Sequence, residues 1–96
     1  MQVMIRYKLK RDQVERNLEL LRAVYEELES VQPDGLRWAT FHLEDEVSFV
    51  DFAVVDGPGR LSRLKAWRPY RATLDERCDE PPVMTELQEV GSFRFP

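Results

Sequence analysis

Apolar and polar residues alternate at the start of the chain and then change to a longer period. The apolar positions of the first stretch are Val3, Ile5, Tyr7 and Leu9. Their period of two predicts a β-strand over residues 2–9. The apolar positions of the next stretch are Val14, Leu18, Leu21, Val24, Leu28 and Val31. Intervals of three and four predict a helix of about five turns, which Pro33-Asp34-Gly35 should end.

Two further apolar runs flank the acidic segment Glu44-Asp45-Glu46. This pattern predicts an antiparallel hairpin from Leu36 to Val55 with a three-residue loop. Such a loop pairs Trp38 with Phe52 and Phe41 with Phe49, although a slip of one residue is also open. One predicted face carries Leu36, Trp38, Thr40, His42, Ser48, Val50, Phe52 and Val54. The other carries Arg37, Ala39, Phe41, Leu43, Val47, Phe49, Asp51 and Ala53.

The second half of the chain predicts another helical region and a last strand. Gly57-Pro58-Gly59 predicts the turn into this region, and Pro69 within it predicts two short helices or one kinked helix. Asp79-Glu80-Pro81-Pro82 should end it, followed by a long extended run from Val83 to Phe95 with a bulge or bend at Gly91. The order β-α-β-β-α-β predicts one α+β domain over residues 1–96. We expect a ferredoxin-like, four-stranded antiparallel sheet with both helices on one face.

Both faces of the predicted hairpin are largely apolar, and the two helices can cover only one of them. A large uncovered apolar face marks an interface, and a second copy of the sheet is the simplest cover. We therefore expect a homodimer. Its predicted contact residues are Arg37, Phe41, Phe49, Asp51, Phe93 and Phe95. The alternative is that the terminal aromatic residues fold back on their own sheet.

Composition narrows the range of partners and locations. A net charge of −4 and a pI near 5.0 argue against nucleic-acid binding, which needs a basic surface. Cys78 is the only cysteine, which excludes an intrachain disulfide and a cysteine-rich zinc site. No phosphate-binding or dinucleotide-binding glycine motif occurs, so we expect no cofactor. Without a signal-peptide or membrane-span pattern, we expect a cytoplasmic protein with no membrane partner.

Candidate catalytic residues are His42, Trp67 and Tyr70, and candidate ligand contacts are Tyr7 and Trp38. His42 is the only imidazole and could act as a general base, although an ion pair with the acidic loop would also explain it. Trp67 and Tyr70 flank Pro69, where a helix break can open a cleft for a flat ligand. Aromatic residues at helical spacing are equally typical of an ordinary core.

Asp51 is an acidic residue in an otherwise apolar strand, and Arg37 is its predicted diagonal neighbour. A buried carboxylate needs a partner. One interpretation is an ion pair that fixes the hairpin register or the dimer contact. The other is a polar group that orients a ligand inside the protein.

The two helical regions carry opposite charges. Acidic residues dominate the first helix and basic residues the second region. Because the predicted fold places both on one sheet face, mutual charge complementarity explains the pattern without an anionic ligand, although exposed pairs contribute little.

The chain resembles the dimeric α+β barrel superfamily, and within it the small antibiotic-biosynthesis-monooxygenase-like proteins. The resemblance rests on element order, on length and on the segments GLRWATFHLEDEVSFV, LKAWRPYRATLDERCDEPP and VGSFRF. It implies a homodimer in which two sheets form a barrel with the helices outside. It also implies a pocket for a small molecule between each sheet and its helices.

The catalytic residues of this superfamily transfer only in part. Haem-degrading relatives use an Asn on the first strand with a Trp and a His from the second helical region. Here Asn17 lies on the predicted first helix and His42 on a strand, so only Trp67 matches and we do not expect haem degradation. Two functions stay open: a protein that binds a small molecule in a sheet–helix pocket, and a cofactor-independent monooxygenase-like enzyme acting on a small aromatic or polyketide-like substrate.

Overall fold

A computed structural model describes residues 1–55 and 61–95. Its elements are β1 (Gln2–Leu9), α1 (Val14–Val31), β2 (Leu36–His42), β3 (Ser48–Val55), α2 (Trp67–Ala72), α3 (Leu74–Arg77) and β4 (Cys78–Glu86). Single 3₁₀ turns lie at Arg11–Gln13 and Leu61–Arg63. Within the described residues the strands form one four-stranded sheet in the order β2-β3-β1-β4, and every pairing is antiparallel. The predicted ferredoxin-like α+β fold is confirmed.

Helix α1 lies on the sheet through its apolar face. Leu21 and Val24 are buried there, as the helical spacing predicts, and so is Leu20, which is not among the predicted positions. The helix ends at Gln32, which has a left-handed backbone with φ of 51° and donates its amide to the Leu28 carbonyl at 2.8 Å. Val31 belongs to the predicted apolar face but is exposed at the last position of the helix.

The second helical region is divided into α2 and α3, but the division is not at the proline. Pro69 lies in the first turn of α2, where its missing amide hydrogen breaks no helical hydrogen bond. The division falls at Thr73, whose hydroxyl donates to the Pro69 carbonyl at 2.8 Å. The predicted turn at Gly57-Pro58-Gly59 lies in residues 56–60, outside the described residues.

The hairpin forms as predicted, but its register differs by one residue. Trp38 lies opposite Ala53, and Thr40 lies opposite Asp51. The cause is the loop: Asp45 Oδ1 accepts the amides of Val47 and Ser48 at 3.0 and 2.8 Å. These bonds take Val47 out of the strand and lengthen the loop by one residue. All side chains of β3 therefore exchange faces relative to the prediction.

The last strand begins and ends earlier than predicted. Strand β4 contains Pro81 and Pro82 instead of starting after them, and it ends at Glu86. An edge strand tolerates proline because one side of it needs no hydrogen-bond partners, and the pairing with β1 shifts register near this point. Residues 87–95 form no strand, so the prediction of a bulge in a strand at Gly91 was wrong.

The core lies between the helices and one face of the sheet. Its buried members are Tyr7, Leu9, Leu20, Leu21, Val24, Phe49, Leu64, Tyr70, Leu74 and Cys78. The opposite sheet face, which we call the open face, carries Gln2, Met4, Arg6, Arg37, Ala39, Phe41, Val50, Phe52, Val54, Val83 and Thr85. No helix of the described residues covers it, and Phe41 and Phe52 are exposed. One face is thus a closed core, and the other is a surface on which exposed apolar side chains lie among polar ones.

Candidate functional site

Aromatic side chains from β1, β2 and α2 meet between the helices and the sheet. The ring of Trp38 on β2 lies 5.7 Å from that of Trp67, and Trp67 lies 5.5 Å from Tyr70. The Tyr70 hydroxyl lies 2.9 Å from the Tyr7 hydroxyl of β1, a buried hydrogen bond in which either oxygen can donate. The structure therefore brings together the candidate ligand contacts Tyr7 and Trp38 and the candidate catalytic residues Trp67 and Tyr70.

A buried polar network continues from the tyrosine pair. Asn17 of α1 donates through Nδ2 to the Tyr7 hydroxyl at 3.3 Å. Its Oδ1 accepts from Arg77 Nε and Nη2 at 3.2 and 3.1 Å. Arg77 also donates to the Tyr70 carbonyl at 2.9 Å and to Thr73 Oγ1. The network fixes β1, α1, α2 and α3 relative to one another through polar contacts.

Asp51 lies in the same layer, on the central strand β3. Its side chain faces the helices, since its cross-strand neighbours Ile5 and Thr40 lie on that face. Only 3% of its surface is exposed, and burial raises its pKa to about 6. Hydrogen-bonding interactions with the Thr40 and Trp38 side chains act in the opposite direction. Among the residues that the structure describes, Oδ1 of this carboxylate has no hydrogen-bond partner.

Thr40 connects this layer to a small pocket. Its Oγ1 lies 2.6 Å from the Tyr25 hydroxyl, and the Tyr25 ring stacks on Trp38 at 4.8 Å. Both aromatic rings line a pocket of about 200 Å³, which we call the α1–β2 pocket. Its other lining residues are Leu28, Glu29, Gln32, Pro33 and Leu36. Burial raises the pKa of Tyr25 to about 12, so its hydroxyl keeps its proton at neutral pH.

The predicted catalytic residue His42 lies apart from the polar network. It is exposed at the end of β2, and its Nε2 lies 2.8 Å from the Glu46 carbonyl oxygen. Its ring stacks on Phe49 at 4.3 Å, and Phe49 stacks on Tyr7 at 5.5 Å. His42 therefore contacts the loop and the core edge, with no hydrogen bond to Asp51, Tyr7 or Tyr70 among the bonds of the described residues.

The predicted interface residues divide between the two faces. Arg37 and Phe41 lie on the open face, beside a groove of about 550 Å³ that Phe95 also lines. Phe93 is 81% exposed on the same C-terminal segment. Phe49 and Asp51 are buried on the helix-covered face, so their placement in the interface, and the pairing of Asp51 with Arg37, were wrong. The one-residue lengthening of the hairpin loop is the reason.

The two helical regions meet through a carboxylate and backbone amides. Glu27 accepts from the amides of Lys65 and Ala66 at 2.8 and 2.7 Å, and these bonds lower its pKa. Within residues 1–55 and 61–95 the side chains form the ion pairs Arg11–Glu46, Arg16–Glu19 and Arg71–Asp75. None joins α1 to α2 or α3, so within this part of the chain the predicted complementarity is not made by paired side chains.

Cys78 is a free, buried thiol at the start of β4, and burial raises its pKa. It is packed in the core, as the sequence predicts. Over the described ranges, no three His, Cys, Asp or Glu side chains gather in a way that could hold a metal ion. No helix in the same ranges combines the length and the apolar character needed to cross a membrane.

Sequence reasoning missed Asn17, Tyr25, Thr40 and Arg77. Asn17 and Tyr25 carried a usable signal, because each is three or four residues from buried positions of α1 and so falls within its apolar face. Thr40 alternates with Trp38 along β2 and so shares its face. Arg77 carried no usable signal in the sequence, since it is one of several basic residues in a region of short helices.

Comparison with protein-family models gives no match for this sequence, and comparison with curated proteins gives none either. Solved structures do match. A protein from Nitrosomonas europaea with the provisional name antibiotic biosynthesis monooxygenase is 18% identical with a TM-score of 0.74, over 93% of this chain and 88% of that one. Rv0793 from Mycobacterium tuberculosis is 22% identical with a TM-score of 0.69, over 94% and 97%.

A protein named for a different activity also has a related structure. L-rhamnose mutarotase FA22100 from Formosa agariphila is 19% identical with a TM-score of 0.59, over 98% of this chain and 99% of that one. Identities this low establish the shared fold alone, and the same fold hosts different activities. The resemblance inferred from the sequence is confirmed at the level of the fold: this chain has the ferredoxin-like α+β fold of the antibiotic-biosynthesis-monooxygenase-like proteins.

Proposed function

We propose that this protein is a cytoplasmic homodimer that binds a small ring compound in the α1–β2 pocket. The observation that supports it most is that Tyr25 and Trp38 line a pocket and also contact the buried polar layer beneath it. Binding sites typically combine apolar and aromatic walls with a few polar groups that set orientation. The buried Cys78 thiol agrees with a reducing compartment.

The pocket volume limits the ligand. At about 200 Å³ it is smaller than typical drug-sized sites of about 300 Å³ or more, which limits it to a small compound. A single aromatic or sugar-sized ring is therefore the class that fits. Glu29 and Gln32 on the pocket wall offer polar contacts to substituents of such a ring.

Tryptophan fluorescence tests this binding. The chain has two tryptophans, and Trp38 lines the pocket whereas the lining residues do not include Trp67. Titration with benzamide, benzoate and monosaccharides should quench the tryptophan fluorescence of the wild type and of the Trp67→Phe variant. It should not quench the fluorescence of Trp38→Phe. Leu36→Trp, which fills the pocket, should abolish binding measured by calorimetry. Binding that survives in Leu36→Trp would place the ligand elsewhere and refute the proposed site.

The homodimer is supported by the open face. Phe41 and Phe52 are exposed on it and their rings lie 5.8 Å apart, and the exposed Phe93 and Phe95 lie on the segment beside it. An apolar surface of this kind marks an association site. A second copy is the occupant that the family resemblance implies.

Charge introduced on the open face tests the dimer. Phe52→Glu should weaken association by about 30-fold or more, as expected for a central apolar contact that contributes at least about 2 kcal/mol. Val31→Glu is the matched control, because Val31 is exposed at the end of α1, away from the open face. Light scattering of both variants gives the answer. A wild type that is monomeric at micromolar concentration would refute the dimer.

A cofactor-independent monooxygenase-like activity is the second candidate. It is favoured by Asp51, a buried carboxyl group with a pKa near neutrality among tyrosine and tryptophan rings, since general bases require such a pKa. A phenol would react with dioxygen, one oxygen atom entering the ring to give a quinone and the other leaving as water. An oxygen electrode with single-ring phenols tests it, with Asp51→Asn as the variant expected to lose activity.

A further inference from the structure

The carboxylate of Asp51 combines three properties that structural residues seldom share. It lies on a central strand, it is almost completely buried, and its Oδ1 lacks a hydrogen-bond partner among the described residues. An unpaired buried carboxylate is costly to the fold. Buried groups of this kind occur preferentially where a site uses their proton.

A line of hydroxyl groups leads from this carboxylate to the α1–β2 pocket. Thr40 lies directly opposite Asp51 in the hairpin and interacts with its side chain. Thr40 Oγ1 is 2.6 Å from the Tyr25 hydroxyl, and either group can donate. Tyr25 in turn lines the pocket. Each hydroxyl both donates and accepts, so the line can pass a proton in either direction.

Within residues 1–55 and 61–95, the other groups facing Asp51 do not supply a counter-charge. Tyr7 of β1 and Tyr70 of α2 face it with neutral hydroxyls, since burial raises the pKa of both well above the usual tyrosine value. Arg77 of α3 is the buried cation of this layer, and its donors are engaged by Asn17, Thr73 and the Tyr70 carbonyl. Among the residues that the structure describes, the ionised carboxylate therefore has only hydroxyl and indole partners.

We propose that Asp51, Thr40 and Tyr25 form a proton relay that exchanges one proton with an ionisable oxygen of the ring compound bound in the α1–β2 pocket. The ligand class is then a phenol, an enol or an aromatic carboxylic acid. This inference rests on the proposed pocket, and it assigns Asp51 the role of proton acceptor and donor at a distance, with Tyr25 as the group that touches the ligand.

The proton count of the exchange is simple. The ligand O–H gives its proton to the Tyr25 oxygen, Tyr25 gives its own to Thr40 Oγ1, and Thr40 gives its own to the Asp51 carboxylate. The ligand becomes an anion and Asp51 becomes a neutral acid, with no change in total charge. The bound state therefore holds one proton between Asp51 and the ligand, and a ligand that arrives as an anion must bring a proton from solvent.

Benzoate is the probe, because it is an anion across neutral pH, and benzamide is its uncharged counterpart. Titrations should be made between about pH 5 and 8. The affinity for benzoate should not change with pH below pH 6, and it should fall about tenfold per pH unit above pH 6. Benzamide affinity should not change with pH. Benzoate binding by Asp51→Asn should also be independent of pH, since the amide cannot release a proton.

Three further variants separate a relay from a simple charge effect. Tyr25→Phe and Thr40→Val should each lose the gain in benzoate affinity at low pH while still binding benzamide, because each breaks the hydroxyl line and leaves Asp51 in place. His42→Gln should keep the wild-type profile, since His42 lies outside the line. A pH profile retained by Tyr25→Phe and Thr40→Val would show that Asp51 acts through its charge alone and would overturn the relay.

The outcomes distinguish the relay from the pocket. Binding of neither probe at any pH would overturn the proposed pocket and the relay with it. Benzamide binding together with a pH-independent benzoate affinity in the wild type would overturn the relay alone. Should Asp51→Asn not fold, judged by circular dichroism, the two hydroxyl variants decide the question unaided.

Discussion

Thr40 and Asp51 lie directly opposite each other in the β2–β3 hairpin, on the face that the helices cover. This pairing places the carboxyl group of Asp51 in the core. Asparagine has nearly the same shape and could replace it without a charge. The ionised carboxylate is held there by a threonine and a tryptophan instead of a cation. Its cost to the fold is therefore measurable as a dependence of stability on pH.

The wild type should become less stable as pH rises, whereas Asp51→Asn should not show this decrease. Burial raises the pKa of Asp51 from 3.8 to about 6, so between these values the folded state holds a proton that the unfolded state has lost. This stability is fully present below pH 4 and is lost as pH rises through 6, for a total of about 3 kcal/mol. Urea unfolding of both proteins measures it. The burial of the charge would be contradicted if the free energies of unfolding of the wild type and the variant differed by the same amount at every pH from 4 to 7.

Asn17→Ala should destabilise the protein by about 2 to 3 kcal/mol. The change removes the acceptor of two hydrogen bonds from Arg77 and leaves a buried guanidinium incompletely paired. Asn17→Asp, which keeps an acceptor oxygen at the same place, is the matched control and should lose less. Thermal or urea unfolding measures both. Equal losses in the two variants would show that the site responds to shape and not to hydrogen bonding.

Asp45→Ala should lower the urea midpoint, whereas Glu44→Ala in the same loop should have little effect. Asp45 accepts two loop amides and the Ser48 hydroxyl, and these bonds lower its pKa to about 2. Because the folded-state pKa is lowered, the stabilisation is present above the unfolded value near 3.8 and disappears as pH falls through 2. Equal midpoints for the two variants at neutral pH would refute this role for the loop.

Glu27→Gln should loosen the start of α2 without unfolding the protein. The carboxylate accepts the amides of Lys65 and Ala66, so its loss should raise the hydrogen-exchange rates of those amides several-fold. Glu26→Gln changes the exposed neighbour on α1 and should leave the rates unchanged. NMR exchange measurements check this, and unchanged rates in Glu27→Gln would argue against the bond in solution.

Much of the fold followed from periodicity. The period of the apolar residues was sufficient for α1 and β1, because their buried faces recur over many residues. The predicted register of the hairpin was wrong by one residue. The register depends on hydrogen bonds to the side chain of Asp45, and the pattern of apolar residues contains no information about them. Strand β4 was misplaced because two prolines usually interrupt a strand, and here they lie at a sheet edge.

The candidate site was only partly predictable. The aromatic residues Tyr7, Trp38, Trp67 and Tyr70 stood out by size and spacing, and the fold places them together. The face on which Asp51 lies depends on the register, and its partner Thr40 becomes visible only when the register is known. Polar residues that act through tertiary contacts leave weak marks in one sequence, since their spacing along the chain is arbitrary.

The two prolines of β4 have a consequence for the behaviour of the protein at high concentration. The outer edge of β4 is one of the two edges of the sheet, with that of β2, at which another strand could add. Pro81 and Pro82 have no amide hydrogens. Because the amides of consecutive strand residues point to opposite sides, one of the two missing donors would have faced an added strand. Growth of the sheet into a fibril is therefore interrupted at β4, and replacing both prolines with threonine should make the protein prone to amyloid formation.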